Sequence, residues 1–342
     1  MKALLLEEYN KLVYIDVPDP EVGEHEVLIR VVACSICGSD VHGLDGSTGR
    51  RVPPLIMGHE ASGEVAAVGE RVTDWQIGQR VTFDSTIYCG TCWHCRRGEI
   101  NLCDKRRVLG VSCDEYRQHG AFAEYVAIPE HILYAFPEDV SFEQASLVET
   151  LSIAVHAVGR LPIQLNDAAL VVGTGNIGLL AIQVLKVFGC SPVIAADIDE
   201  HKLAFALKAG ADMVVNTTNT DLRNEVLRHT ERGVDVAVEA VGLSTSIQSA
   251  VSALRKGGAL SLIGNLSPTI DLPLQTLVTR QIDVRGSCAS SGEYPVCLDL
   301  ITRKVVDVDL LISAVAPLSE GSLWFQRLYQ REIGLMKVVL KP

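Results

Sequence analysis

Residues 170–197 constrain this chain more than any other stretch. Ala168–Val172 is a short apolar run with the character of a buried strand. Gly173-x-Gly175-x-x-Gly178 follows at once, and Ile177–Phe188 reads as a helix with one apolar face, interrupted only by Gln183 and Lys186. A second apolar run, Val193–Ala196, ends at Asp197. Strand, glycine turn, helix, strand and acid, in that order, read as a dinucleotide site, the other reading being a plain structural turn in a parallel sheet. Gly173 allows the tight turn, Gly175 lets backbone approach a pyrophosphate, and Gly178 lets helix and strand pack closely. Asn176 and Ile177 open the helix, whose free N–H groups and positive dipole end face the phosphates. Asp197 suits a ribose hydroxyl pair, and its charge would repel a 2′-phosphate, so the expected cofactor is NAD and not NADP.

The 342 residues suffice for two domains with separate cores. A net charge of −12 argues against nucleic acid as a partner. No apolar run is long enough to span a bilayer. The opening Met1-Lys2-Ala3 turns acidic at Glu7-Glu8, before a signal-peptide core could form, and reads as an edge strand. Ten cysteines in such a chain suggest metal ligands or buried thiols and a cytoplasmic location, not a disulfide framework.

The first 150 residues carry short strands and glycine turns. Leu12–Asp16, Glu26–Val32, Glu64–Val68 and Arg80–Phe83 have strand character, and the segment reads as a small barrel-like domain. Within it lie Cys34-Ser-Ile-Cys37-Gly-Ser39-Asp40-Val-His42 and Gly58-His59-Glu60. A catalytic zinc needs three ligands of N, S or O type and one open position, which Cys37, His59 and an acid could supply. Taken singly, a buried thiol and a turn histidine explain the same residues.

The spacing Cys89-x2-Cys92-x2-Cys95-x7-Cys103 is more specific. Four thiolates on one loop can close tetrahedrally around a single zinc and leave no vacant position, which makes the site structural. An iron–sulfur cluster is the alternative, and the ligand spacing favours zinc. His94, inside the loop, reads as solvated.

After residue 150 strands and helices alternate. Helices are expected over Asp199–Lys208, Leu222–His229 and Ser244–Leu254, the last closed by Lys256-Gly257-Gly258. Strands are expected at Met213–Asn216, Val234–Glu239, Ala259–Gly264 and Ile282–Gly286, which makes a doubly wound parallel sheet of the Rossmann type. Gly264 and Asn265 fall at a strand end, on the side where the nicotinamide half of a cofactor belongs. Tyr294–Ile301 has helical periodicity, and Ile333–Leu340 reads as a closing strand.

Together, Cys37-Gly-Ser39-Asp-Val-His42, Gly58-His59-Glu60, the four-cysteine lobe, His119-Gly-Ala-Phe-Ala-Glu-Tyr125 and the glycine motif resemble the zinc-containing medium-chain dehydrogenase/reductase superfamily, which includes alcohol and polyol dehydrogenases. They occur in that family's order along essentially the whole chain. The resemblance implies an α/β protein with a GroES-like β-barrel catalytic domain (residues 1–149 and 288–342, with a structural zinc lobe at 85–106) and a Rossmann domain at 150–287. It implies two zinc ions, one catalytic and one structural, and NAD. Cys37 and His59 match two catalytic ligands. Glu149, in Leu147-Val-Glu149-Thr150, occupies the place of the third, with Glu60 as its exchange partner, whereas sorbitol-dehydrogenase-like members instead use the glutamate beside the histidine, here Glu60. Ser39 matches the hydroxyl that bonds the reacting alcohol, and His42 the outer end of a proton relay. Lys202 matches a position near the adenosine ribose, where an ordinary solvated lysine is the other reading.

Sorbitol dehydrogenases carry an Arg-Tyr pair just before a cysteine that orients polyol hydroxyls, and here Gly286-Ser287 precede Cys288. The expected reaction is therefore NAD-linked oxidation of a secondary alcohol in a polyol, sugar alcohol or sugar derivative. An amino-alcohol dehydrogenase of the threonine 3-dehydrogenase type, or a sugar-phosphate alcohol dehydrogenase, is the alternative, and a non-enzymatic protein on the same fold a remote one. The expected partners are a small polar alcohol and further copies of the chain, as a dimer or tetramer, with neither nucleic acid nor membrane.

Overall fold

A computed structural model describes residues 1–113 and 116–342. The chain divides into two compact units. The first comprises Met1–Glu149, Ser291–Arg303 and Leu311–Pro342, and the second Thr150–Ser290 and Lys304–Leu310. Residues 288–290 and 304–310, expected in the catalytic domain, cluster instead with the second unit. Gln183 explains part of this: its amide donates to the Asp307 carbonyl at 2.9 Å and accepts from the Asp307 N–H at 2.7 Å.

The first unit is built mostly on antiparallel pairing, with Ile312–Pro317 and Lys337–Lys341 running parallel. Glu26–Ser35 is its longest strand and pairs with Glu60–Val68, Tyr125–Pro129 and Lys337–Lys341. Arg80–Phe83 and Leu133–Ala135 extend the sheet on one side, and Ile312–Pro317 extends it on the other. The alternation of Val27, Ile29 and Val31 puts these side chains in a core with Ala61, Val81, Phe83, Phe122 and Leu340. Lys2–Glu8 corrects an expectation, because it is not an edge strand. It pairs with Lys11–Asp16 on one side and Leu55–Ile56 on the other, and Leu4 and Leu6 are fully buried. The closing strand spans Lys337–Lys341 and not Ile333–Leu340, because Gly334 turns with φ of +80° just before it.

The second unit is a six-stranded parallel sheet. Its strands, in chain order, are Ala169–Val172, Val193–Asp197, Met213–Asn216, Val234–Glu239, Leu254–Leu262 and Asp283–Gly286. Their spatial order is 3-2-1-4-5-6, the Rossmann topology, with the strand order reversing beside Ala169–Val172. Helices Asn176–Val187, Glu200–Lys208, Leu222–Thr230 and Ser244–Ala253 connect the strands, and Asp199 and Asp221 cap two of them with their side chains. Lys256-Gly-Gly258 does not close a helix as expected. The helix ends at Ala253, and the strand has already begun at Leu254.

Candidate metal and dinucleotide sites

The strand-to-helix passage at Ser35–Gly43 sets up the first site. Glu26–Ser35 ends there, and Gly38–Gly43 forms a short helix that puts Ser39 and His42 three residues apart. Ser35 pairs with Glu60 across the sheet, so Cys37 and His59 flank one rung. Gly58 makes the second passage possible. With φ of +94°, it has no room for a Cβ, since Cys34 Sγ and the Phe122 backbone nitrogen would both lie 2.9 Å away.

Cys37, His59 and Glu60 present ligand atoms that all lie within 4.8 Å of one another, His59 and Glu60 being buried. Glu149 does not join this cluster. It lies buried nearby with Ser85 Oγ 3.4 Å from Oε1, and burial and the adjacent Glu60 push its carboxyl up to about 7 although His59 opposes the shift. Asp40 Oδ1 stands 3.4 Å from His59 Nδ1 and accepts from Arg51 Nη2 at 2.8 Å. Burial disfavours the charged forms of both residues, but their mutual attraction outweighs it. Asp40 is held down to about 2, and His59, aided by Cys37, is raised well above the usual imidazole range. A carboxylate behind one ring nitrogen is the arrangement that fixes a metal-binding histidine. His59 Nε2 lies 3.5 Å from Ser39 Oγ, which also accepts from Arg51 Nη2 at 3.1 Å. His42 is exposed on the last turn of its helix.

The second cluster is Cys89, Cys92, Cys95 and Cys103. The pairing of Thr86–Ile87 with Arg107–Val108 closes the lobe around it. Cys92 and Cys95 sulfurs are 3.5 Å apart, and Cys89 and Cys95 sulfurs 4.0 Å. A tetrahedron of thiolates at ordinary zinc–sulfur distances has edges of about 3.8 Å. The Cys92 and Lys105 N–H groups donate to the sulfurs of Cys89 and Cys103. Hydrogen bonds from Thr91 hold Cys89 down to about 5, while burial and the neighbouring thiols push Cys95 up to about 12. Four thiols this close cannot all ionise without a cation among them, so the donor set fits a divalent metal with four sulfur ligands. His94 stays outside the set and pairs with Glu99 at 2.9 Å.

In the parallel unit the glycine motif stands at the carboxyl end of the first strand. Gly173 turns with φ of +91°, and a Cβ on Gly178 would lie 1.9 Å from the Gly173 carbonyl oxygen. Around Gly175 a Cβ would meet nothing within 4 Å. That space, beside the amino end of the helix that Asn176 and Ile177 open, fits a pyrophosphate. Asp197 ends the second strand, and its Oδ2 accepts from Thr174 N and Oγ1 at 2.7 and 3.0 Å. Lys202 is half-buried in the first turn of the following helix. Gly264, with exposed Asn265 beside it, packs on the backbone of Val241 and Gly242, just past the fourth strand.

Sequence reasoning missed Arg51, Ser35 and Lys337 around the candidate metal site. Asp40 lies inside the Cys37–His42 motif and could have been found there. Lys337 has no local signal, because it reaches Glu60 only through the pairing of Val339 with Ser35.

Two metal-compatible clusters in one unit and a glycine-motif Rossmann sheet in the other define the class of zinc-binding dehydrogenases that use a nicotinamide cofactor. Residues 23–138 match the alcohol dehydrogenase GroES-like domain and residues 176–303 the zinc-binding dehydrogenase domain. A sorbitol dehydrogenase of Bacillus subtilis is 32% identical over 348 residues, covering 100% of this chain and 97% of its own. An L-threonine 3-dehydrogenase of Symbiobacterium thermophilum is 40% identical over 279 residues, covering 79% of this chain and 77% of its own. An alcohol dehydrogenase from Thermus sp. ATN1 superposes with a TM-score of 0.94 at 30% identity, over 100% of this chain and 99% of that one. The chain belongs to the zinc-containing alcohol dehydrogenase family and is an oxidoreductase.

Proposed function

We propose that this protein transfers hydride between NAD and a secondary alcohol of a polyol, sugar alcohol or sugar derivative. The observation that carries the reading is the gathering of half-buried Cys37 with buried His59 and Glu60, with Ser39 within 3.5 Å of His59. Cys37 and His59 would hold a catalytic zinc with Glu149 or Glu60, and the four cysteines a structural one. The metal supplies Lewis acidity at the alcohol oxygen, and the nicotinamide supplies the hydride acceptor. Ser39 orients the alcohol and takes up its proton, and His42, exposed one helical turn on, releases it to solvent. Arg51 holds the Ser39 hydroxyl in place. Asp197 selects NAD by its charge, and Lys202, Gly264 and Asn265 line the cofactor's path. Cysteines that serve as metal ligands must stay reduced, which supports a cytoplasmic location. Family resemblance supports a homo-oligomer. No helix among the described residues is long and apolar enough to cross a membrane.

The sorbitol dehydrogenase relative supports the polyol reading. Gly286-Ser287, in place of an Arg-Tyr pair, points away from sorbitol itself. The threonine 3-dehydrogenase relative, with the higher identity over a shorter stretch, favours an amino alcohol as the second reading. NADH formation over a panel of free polyols, sugar phosphates, sugar acids and threonine separates the two. Turnover of one polyhydroxylated class establishes the first, turnover of threonine establishes the second, and silence in zinc-replete protein overturns both.

A further inference from the structure

Five basic side chains surround one open cavity of the parallel unit, and the reaction described above uses none of them. Arg223, Arg232, Arg255, Lys256 and Arg280 line a space of about 740 Å3. They come from separate parts of the fold. Arg223 stands in the first turn of helix Leu222–Thr230, and Arg232 follows that helix. Arg255 and Lys256 open the strand Leu254–Leu262, and Arg280 ends the helix Leu274–Arg280. Asp167, just ahead of strand Ala169–Val172, and Asp235, near the start of Val234–Glu239, complete the wall. The cavity is therefore at the amino end of the sheet. The glycine motif is at the carboxyl end, a strand's length or roughly 15 Å away.

The acids of the wall do not balance these charges. Asp235 accepts from Arg255 Nε at 2.5 Å and from the Ala168 N–H at 2.8 Å. Asp167 accepts from the Gln164 N–H at 2.8 Å and closes its own loop. Glu231, also in the wall, is exposed. Among the described residues, Arg255 alone of the five cations has a carboxylate at ion-pair distance. Helix chemistry accounts for part of the arrangement. Arg223 and Arg280 both donate to the Ser252 carbonyl, and Arg280 also to that of Leu254. These carbonyls end the helix Ser244–Ala253, where the dipole favours cations. It does not account for exposed Arg232 and Lys256, which line the same space. Gathering two guanidiniums at one carbonyl also has a cost. Burial and the charge of Arg223 both lower the pKa of Arg280 below the ordinary guanidinium value, and an anion between them would relieve it.

We propose that this cavity is an anion site, separate from the dinucleotide site, for a small molecule carrying at least two phosphoryl groups. Guanidinium forks match phosphoryl oxygens two at a time, and they have more N–H donors than the helix end uses. The space is far larger than a single phosphate needs. The chain as a whole carries a charge of −12, so the cluster is no part of a general basic surface.

The probe is inorganic pyrophosphate, titrated calorimetrically into the full chain at physiological ionic strength, with NADH present to fill the cofactor site. Wild type should bind it, and bind orthophosphate more weakly. Arg223→Gln and Arg280→Gln should each weaken binding by about tenfold or more, the loss of a charged hydrogen bond. Thermal melting verifies folding, and pyrophosphate should raise the melting temperature of wild type but not of the double variant. The pair Arg232→Gln/Lys256→Gln removes two exposed charges with no side-chain partner among the described residues, should weaken binding as well, and decides the matter if Arg280→Gln does not fold. Arg228→Gln, on the same helix as Arg223 but paired with Glu225, should bind as wild type does. Absence of binding by wild type would overturn the proposal. Equal weakening in Arg228→Gln would overturn it too, by marking a diffuse charge effect. Binding that NADH abolishes would place the anion in the cofactor site and overturn it as well. None of these outcomes bears on hydride transfer, which does not pass through the cavity.

Discussion

Asp197 and Thr174 are joined twice: one carboxylate oxygen accepts both the backbone N–H and the hydroxyl of Thr174. The acid that ends the second strand of the parallel sheet thus also holds the middle of the glycine loop after the first. Its other oxygen accepts from the N–H groups of Ile198 and Asp199. The carboxylate is therefore fixed by the protein itself, and on the proposed NAD reading its charge would repel a 2′-phosphate. Asp197→Ser should lower kcat/KM with NAD and raise it with NADP. The loss with NAD corresponds to one charged hydrogen-bonding group, about 1.5–3 kcal/mol, or roughly 10- to 150-fold. Steady-state kinetics with both cofactors checks this, and an unchanged preference would remove Asp197 from cofactor selection.

Gly175 and Gly178 should respond to alanine in opposite ways. A Cβ at Gly178 would lie 1.9 Å from the Gly173 carbonyl oxygen, so helix and loop must separate to admit it. Gly178→Ala is expected to lower the melting temperature of the parallel unit and, with it, cofactor binding. A Cβ at Gly175 meets no protein atom within 4 Å, and its φ is an ordinary −72°. Gly175→Ala should fold normally, even gaining slightly from a less flexible unfolded chain, and yet lose NADH affinity because the methyl occupies the pyrophosphate's space. Calorimetric melting together with cofactor fluorescence titration separates the two effects.

These residues also show why some of the molecule was readable in advance and some was not. The strand–glycine–helix–strand order is local, so each signal sits beside the next, and Met213–Asn216 and Val234–Glu239 fall where the apolar pattern puts them. The cysteine lobe is local in the same sense. The candidate metal site is not. Its Asp40 support lies inside a readable motif, but Arg51 and Lys337 act through pairing that the periodicity of their own segments does not encode. The pattern of Lys2–Glu8 reads as an edge for a related reason. Its second neighbour, Leu55–Ile56, contributes only two residues, too short a run to show strand periodicity.

The Glu143–Lys341 pair should give the terminal strand a pH-dependent anchor. Lys341 Nζ lies 2.7 Å from Glu143 Oε1. Partial burial works against the ionised carboxyl, but the hydrogen bond from Lys341 outweighs it and lowers the pKa of Glu143 below its ordinary 4.5. A depressed folded pKa means that the unfolded chain binds the proton more readily. The stabilisation is then fully present above pH 4.5 and is lost as pH falls through the lower folded value. Glu143→Gln should therefore destabilise by about 0.2–1 kcal/mol at pH 7, the range for a partly exposed pair. The gap to wild type should close in acid. Denaturant melts at pH 7 and below 4 measure it, and a gap independent of pH would assign the effect to packing.

Metal removal should distinguish the two clusters by their consequences. The four-cysteine lobe has little apolar core of its own, since Cys89, Cys92 and Cys95 are only half-buried, and Trp93 and Leu102 are exposed. On the proposed reading its order would then come from the ion, as in small domains whose binding energy is their folding energy. Cys95→Ser should cost one zinc per chain and lower the melting temperature. Cys37→Ala should also cost one zinc, but the surrounding sheet is held by Val27, Ile29, Phe83 and Leu340 and should persist. The Cys37 variant is expected to lose turnover entirely while still binding NADH, because the glycine motif belongs to the other unit. Elemental analysis, melting and NADH titration on the two variants test the assignment. Turnover retained by Cys37→Ala would exclude this cluster as the reaction centre, and a Cys95→Ser protein with full zinc and unchanged melting would exclude the lobe as a structural metal site.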